Sequence, residues 1–440
     1  MTNYFRALYY LNSMIKRAYW KQDRLTEYQN KRLRKIIKYA YDYVPYYHKK
    51  FRKLGIKPLD IKTKKDLNRL PIIRKDEIRE NLKEMISKEF NVNDLKMLST
   101  SGSTGKPLLL YITGAESEFR KAKHLRANIS CGQKLQDRWV VITAPHHFGE
   151  ATKLQRMLGF YAPTPVSVFN DVATQISTLE RIKPDILDGY SSSLLILAKE
   201  LEKREIETIR PRFIIGGAEL IDDYSRHFVE KVLSAPFYDQ YSSVELERMA
   251  WQCPVRQEYH MDVDAIIIQF VDKNGDEVSE GERGEIICTS LFNYAMPFVR
   301  YAIGDVGIPS NGLCTCGRTL PLMKVVEGRR DSLLLLPDGR ILTPRTFTIA
   351  MRMFKFYRYI DQFHVRQKKR DLFEFNIKMK DNSPEENIIE VELVAHLKKM
   401  FKLDMNDVRL EIKFVEDIPL DKSGKLMAVV SELKSDAFLT

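Results

Sequence analysis

Ser99-Thr100-Ser101-Gly102-Ser103-Thr104-Gly105-Lys106-Pro107 packs hydroxyl side chains, two glycines and one cation into nine consecutive positions. Polyphosphate requires that mixture: glycine lets backbone N–H groups approach phosphate oxygens, hydroxyls donate further hydrogen bonds, and Lys106 offsets charge. The stretch is not a Walker A loop, because Thr100 stands where the first glycine belongs and Pro107 where the final Ser/Thr belongs. A kinase or P-loop ATPase is therefore disfavoured. In isolation the nine residues also read as a solvent-facing Ser/Gly turn.

Upstream, Leu33, Ile36, Ile37, Ala40, Tyr41 and Val44 recur at helical spacing, and Pro45 ends the run. A further helix is expected after Lys75, which makes residues 1–90 a basic, helical region. Downstream, residues 98–330 alternate short β-rich runs, such as 138–143 and 212–215, with longer helical segments such as 192–203. That alternation predicts an α/β domain. Residues 265–270 and 285–289 read as strands, with Asn274-Gly275 supplying a turn that needs positive φ, so an antiparallel β subdomain is expected beside the first sheet. After Asp331 the pattern restarts: Phe373, Phe375, Ile377 and Met379 alternate as in a half-buried strand. Ser383-Pro384-Glu385-Glu386 opens a helix, and residues 409–415 complete a β-α-β unit. The expected organisation is α/β, with a basic helical region at 1–90, a core at 91–331 and a small α+β domain at 332–440.

At 440 residues the chain exceeds what one hydrophobic core organises, and 44% hydrophobic with 30% charged content is that of a folded protein. No stretch approaches the roughly 18 apolar residues that span a bilayer, so a cytoplasmic location is expected. Five cysteines are too few and too oddly numbered for a disulfide framework. The net charge of +12 is uneven: residues 1–90 hold 24 Lys+Arg against 10 Asp+Glu, more than the whole surplus. A nucleic-acid binder would spread that charge over its working face, so no nucleic-acid partner is expected. Docking of the basic region on an acidic membrane surface or a biosynthetic partner competes with a merely solvated helical surface.

Further segments sharpen the reading. Ile215-Gly216-Gly217-Ala218-Glu219, the run DQYSSVE ending at Glu245, Tyr301-Ala302-Ile303-Gly304-Asp305, Gly328-Arg329-Arg330-Asp331 and PLDKSGK ending at Lys425 follow the Ser99 segment in order. This ordered set resembles the adenylate-forming superfamily. Within it, YAYDYVPYYHKKFRKLGIKPLDI, LNRLPIIRKDEIREN and CTCGRTLP are most similar to the phenylacetate-CoA ligase group, which includes the CapK-type proteins of capsular polysaccharide clusters.

The resemblance implies a large adenylate-forming domain and a small mobile C-terminal lid. It also implies roles. Ser99 to Lys106 would bind the ATP phosphates, and Gly217, Ala218, Glu219, Tyr241 and Ser242 would flank the adenine. Glu245 would hold Mg²⁺, a hard ion suited to carboxylate and phosphate oxygens. Asp305 would accept both ribose hydroxyls and Arg329 would fix the same ribose. Lys425 would stabilise charge as a carboxylate attacks the α-phosphorus. Asp331 would be the hinge on which the lid swings. Ser242 departs from the family's usual glycine, which puts catalytic strength in question.

The implied reaction joins a small-molecule carboxylic acid to ATP, giving acyl-AMP, and passes the acyl group on, with coenzyme A as the favoured acceptor. Acyl or adenylyl transfer to a sugar in capsule synthesis, and a non-catalytic nucleotide-binding scaffold, stay open. His146, His147 and Phe148 follow an expected strand and fall where related enzymes shape the acyl pocket. Cys253, His260, Cys314 and Cys316 offer a Cys₃His set for structural zinc, with packed thiols and an unrelated histidine as the alternative. A homodimer is the default for such an enzyme.

Overall fold

Leu25, Leu33, Ile36, Ile37 and Ala40 form the buried face of a helix, Gln22–Tyr43. It stops at Val44 because proline disfavours helical backbone in the residue before it, and Pro45 then opens the next helix, Pro45–Lys53, where its missing N–H costs nothing. Tyr47 on that second helix anchors it to the connection between the strands Gly284–Ser290 and Tyr301–Ser310: its hydroxyl donates to the Pro297 carbonyl (2.9 Å) and accepts from the Val299 N–H (3.0 Å). The computed structural model describes residues 3–100, 108–147, 151–219, 221–310, 312–327, 334–342, 347–348, 350–351, 353–401, 408–419 and 428–433.

The chain forms two units, one comprising Met1–Ile303 with Gly307–Val325, the other Gly304–Val306 with Val326–Thr440. The first unit begins with the helices above and a hairpin of β1 (Lys96–Ser99) and β2 (Leu109–Ile112). Its main sheet takes strands β3 (Trp139–Thr143), β4 (Pro163–Ser167), β5 (Ile186–Tyr190), β6 (Phe213–Gly217), β7 (Phe237–Ser243), β8 (Glu247–Cys253), β9 (Arg256–Met261), β10 (Ile266–Val271), β11 (Gly284–Ser290), β12 (Tyr301–Ser310) and β13 (Leu322–Glu327). Their order is β10-β11-β12-β13-β9-β8-β7-β6-β5-β3-β4.

β4, β3, β5, β6 and β7 run parallel, and the hand-over to antiparallel pairing falls between β7 and β8. The expected antiparallel part therefore extends the parallel sheet directly through a shared strand. Asn274-Gly275 forms the anticipated positive-φ turn within the connection from β10 to β11, with Gly275 at φ +86° and the Asn274 N–H bonded to Asp272 Oδ1; it returns the chain to Glu277, which bridges to Val271.

The helix Gly114–Ser130 is capped by Thr113, whose hydroxyl accepts from the Glu116 N–H (3.1 Å). Part of its length is anchored by charge. Arg126 pairs with Asp262 (2.5 Å) and Asp264 (2.9 Å), Arg17 joins Asp264 (2.8 Å), and the Trp251 indole N–H donates to Asp262 (2.8 Å). All five side chains are buried. Such a network is costly to desolvate and destabilising to break, so it fixes the register of helix on sheet.

In the second unit β14 (Leu334–Leu335) pairs with β15 (Ile341–Leu342), and a four-stranded sheet runs β18 (Arg409–Phe414), β17 (Leu372–Met379), β16 (Ile360–Lys369), β19 (Val429–Ser431). Helix Glu386–Phe401 buries Ile389, Leu393, Leu397 and Phe401, one residue per turn, in a core with Phe373, Phe375 and Ile377. β17, this helix and β18 make the expected β-α-β unit, with the two strands parallel.

Candidate functional site

β1 and β2 hold both ends of the Ser/Gly/Lys segment. The Thr100 N–H donates to the Leu108 carbonyl (3.0 Å), and the Leu108 N–H returns to the Thr100 hydroxyl (2.9 Å). Ser99 pairs with Leu109 across the hairpin. Ser101, Gly102, Ser103, Thr104, Gly105 and Lys106 lie outside the described residues.

Gly216 and Gly217 end β6. A Cβ at Gly216 would sit 2.0 Å from the Phe237 ring, and one at Gly217 would sit 2.9 Å from the Gln240 carbonyl oxygen, so both positions demand glycine. Ala218 follows at φ +66°. Glu219 turns towards the next helix: its carboxylate accepts from the Ser192 N–H (2.9 Å) and its carbonyl from the Ser191 hydroxyl (3.2 Å). It thereby caps the start of Ser191–Lys203, where a negative charge is favoured. Tyr241 and Ser242 are half-buried at the end of β7, on a β-bulge.

The turn joining β7 to β8 carries Glu245, whose side chain is buried. Its Oε1 accepts from the Tyr301 hydroxyl (2.7 Å) and faces the Lys75 ammonium at 3.5 Å. The turn's backbone carbonyls are gripped by the Gly114–Ser130 helix: Arg120 donates to Val244 (2.7 Å) and Glu245 (3.1 Å), and Lys123 to Leu246 (3.0 Å). Burial brings the Lys123 ammonium down to about 8. Glu247 closes the turn at φ +61°.

Asp305 lies within β12 and is half-buried. His147 is exposed, with its N–H on the Ala144 carbonyl (2.9 Å), and His146 shares its short 3₁₀ turn. Phe148, Arg329, Asp331 and Lys425 lie outside the described residues.

The four predicted zinc ligands do converge. Cys253 ends β8 and His260 lies on β9, while Cys314 and Cys316 come from the loop before β13. One ligand atom of each lies within 4.8 Å of all the others. Cys253 Sγ is 3.6 Å from Cys314 Sγ, and Cys316 Sγ is 3.5 Å from His260 Nε2. A disulfide needs about 2.05 Å, so 3.6 Å excludes one between the first pair. Tetrahedral zinc, with bonds of about 2.3 Å to sulfur and 2.0 Å to nitrogen, separates neighbouring ligands by roughly 3.5–3.8 Å. The donor set, spacing and burial fit that ion.

Sequence reading missed Lys75, Arg120 and Lys123, because a cation on a helix reads as surface until its partner is known. It also missed Asp188, although a carboxylate inside the otherwise apolar strand β5 was a visible signal.

No protein-family model matches the chain. It is 25% identical over 325 residues to a phenylacetate-coenzyme A ligase of Thermus thermophilus, covering 72% of each protein. It is also 25% identical to Protein CapK of Staphylococcus aureus over an alignment 440 positions long, covering 93% of this chain and 90% of the relative. Among solved structures, 2-hydroxyisobutyryl-CoA ligase in the postadenylation state superposes with a TM-score of 0.76 at 17% identity, over 93% of this chain and 90% of that one. The anthranilate CoA ligase AuaEII with anthranoyl-AMP gives 0.56 at 16% identity, over 77% and 66%. In sequence the chain is thus similar to phenylacetate-coenzyme A ligases and to CapK, and it shares its fold with acid–CoA ligases solved with an acyl-AMP bound.

Proposed function

We propose that the chain is an ATP- and Mg²⁺-dependent acid ligase: a carboxylic acid attacks the α-phosphorus of ATP, pyrophosphate leaves, and the resulting acyl-AMP is passed to coenzyme A. The observation that carries this reading is positional. The Gly216–Gly217 pair ends β6 and the Glu245 turn follows β7, at the C-terminal ends of two neighbouring parallel strands. Ligands of open α/β sheets bind at such ends.

The residues divide the work. Gly216 and Gly217 let the Phe237 ring and the Gln240 carbonyl pack closely against the end of β6, and the adenine would lie beside that strand end. Arg120 and Lys123 hold the Glu245 turn in a strained conformation and are positioning residues. Glu245 would hold Mg²⁺, which supplies charge neutralisation on the phosphates, and the ion would share the carboxylate with Lys75. Asp305 and Arg329 would bind the ribose. Lys425 would neutralise the reacting carboxylate and α-phosphate, and rotation about Asp331 would then exchange it for a second face of the small domain.

The test is pyrophosphate exchange and AMP release with MgATP, a panel of acids, and either coenzyme A or an amino sugar. Exchange that requires an acid and is lost in Lys425→Ala supports the ligase, and AMP release that needs only the sugar replaces coenzyme A as acceptor. The sugar is the second reading, which the resemblance to the CapK-type proteins of capsular polysaccharide clusters implies. An adenylylated product by mass would mean adenylyl transfer, and no exchange with any acid a scaffold.

Two further assignments belong here. Cys253, His260, Cys314 and Cys316 would bind a structural zinc that ties the β8–β9 hairpin to the loop before β13, with no open position for chemistry. The helix Tyr4–Arg17 exposes Phe5 (88%), Leu8 (56%) and Tyr9 (70%) beside Arg6 and Lys16, a composition suited to the surface of an anionic membrane.

A further inference from the structure

Two charged clusters flank the Gly114–Ser130 helix, and they differ in kind. The cluster of Arg17, Arg126, Asp262 and Asp264 is sealed: every member is buried and each charge meets an opposite one within 2.9 Å. The other contains His124, Asp188, Glu247 and Arg248, and it opens to solvent. The side chains of His124 and Glu247 are 29% and 25% exposed.

The open cluster lies at the parallel strand ends. Asp188 pairs with Ile215 across β5 and β6, two residues before Tyr190 pairs with Gly217. Alternation along the strands puts Asp188 and Gly217 on one face of the sheet. Arg248 connects them: its NH1 lies 3.8 Å from a Cβ built on Gly217, and its NH2 lies 3.1 Å from His124 Nε2. His124 Nδ1 stands 3.4 Å from Glu247 Oε1.

Asp188 is left incomplete. It is 8% exposed, and its Oδ2 accepts no hydrogen bond among the described residues. The facing imidazole nitrogen, His124 Nε2, stands 3.8 Å away, too far for a hydrogen bond. A buried carboxylate oxygen without a donor is costly; Asp262 Oδ2 in the sealed cluster shares that state, but Asp188 belongs to the cluster that opens to solvent, where a ligand can reach it. An arene or alkyl chain would leave that cost in place.

We infer that Asp188, with Glu247, His124 and Arg248 around it, is the subsite for the far end of the activated acid, and that this acid carries a hydrogen-bond donor there, a hydroxyl or an amino group. The inference rests on the ligase reading above and names its substrate class: a hydroxy- or amino-substituted carboxylic acid. Asp188 accepts the donor and thereby sets specificity.

The experiment compares matched acids by pyrophosphate exchange: butanoate against 4-hydroxy- and 4-aminobutanoate, and phenylacetate against its ring-hydroxylated and ring-aminated forms. A subsite built to pair with a polar group rejects the analogue lacking it, so at least one substituted acid should exceed its parent in kcat/KM by about 100-fold or more. The hydroxyl and amino arms identify which donor is taken. Asp188→Asn should collapse that ratio mainly through the KM for the acid, with the KM for ATP unchanged. A parent acid preferred over all its substituted forms, or a ratio untouched by Asp188→Asn, overturns the inference. If no acid supports exchange, the ligase reading fails, and thermal unfolding still decides the role of Asp188. A binding carboxylate makes Asp188→Asn melt at or above the unsubstituted protein, whereas a loss of several degrees assigns Asp188 to the core and overturns the proposal.

Discussion

The Lys75 ammonium stands 3.5 Å from Oε1 of Glu245, the carboxylate proposed to hold Mg²⁺. A cation already at that oxygen lowers the charge available to a second one. Lys75 is about one-third exposed, so the effect is screened to the order of 1 kcal/mol, or roughly fivefold in affinity. Lys75→Met should therefore lower the half-saturating Mg²⁺ concentration for ATP-dependent exchange about fivefold. A magnesium titration superimposable on that of the unsubstituted protein would show that the two cations do not share Glu245.

Zinc gives a prediction independent of turnover. Protein expressed with ample zinc should contain one ion per chain by elemental analysis. Cys314→Ser and Cys316→Ser should each lose it and melt lower by at least several degrees, because a closed site contributes its binding energy to folding. Strong chelation should lower the melting temperature of the unsubstituted chain and leave that of Cys314→Ser unchanged. Metal-free protein with full stability would leave the four residues as packed thiols beside a histidine.

The amino-terminal helix can be tested on vesicles. Phe5 and Tyr9 are spaced one turn apart and exposed, with Arg6 and Lys16 nearby. Co-sedimentation should be seen with phosphatidylglycerol-containing vesicles, weaken as salt screens the basic residues, and be absent with phosphatidylcholine alone. Phe5→Ser combined with Tyr9→Ser should abolish it without altering pyrophosphate exchange. Equal binding to neutral vesicles would contradict the electrostatic part of the reading.

Local periodicity made much of the fold legible. The apolar spacing from Leu33 to Val44 located a helix, Pro45 located its end, and Asn274-Gly275 located a turn. These features depend on residues a few positions apart. The continuity of the sheet through β7 and β8 was not legible, because strand pairing across it is decided by distant partners. The same distinction governs the site. Gly216 and Gly217 announce themselves by type, and the structure adds only the cause, the Phe237 ring and the Gln240 carbonyl. Lys75 on Glu245, or Arg248 beside His124, joins residues more than a hundred positions apart, and no local pattern encodes such pairs.

Asp239 supplies the prediction in pH. It is buried beside Gly216 on the neighbouring strand, and burial raises its carboxyl from 3.8 to about 6, although Tyr259 donates a hydrogen bond to Oδ2 (2.5 Å). Between these two values the unfolded chain has released this proton and the folded chain still holds it. The unfolded state then binds fewer protons, so this group's contribution to stability falls as pH rises from about 4 to about 6 and is level above that. A shift of this size corresponds to about 3 kcal/mol at most, and half of that is a fair expectation. Asp239→Asn removes the titration. Its stability relative to the unsubstituted protein, measured by denaturant unfolding, should therefore improve by about 1–2 kcal/mol between pH 4.5 and pH 7. A difference that stays constant across that range would mean that Asp239 titrates alike in the folded and unfolded chains, and that its burial is relieved by a partner other than Tyr259.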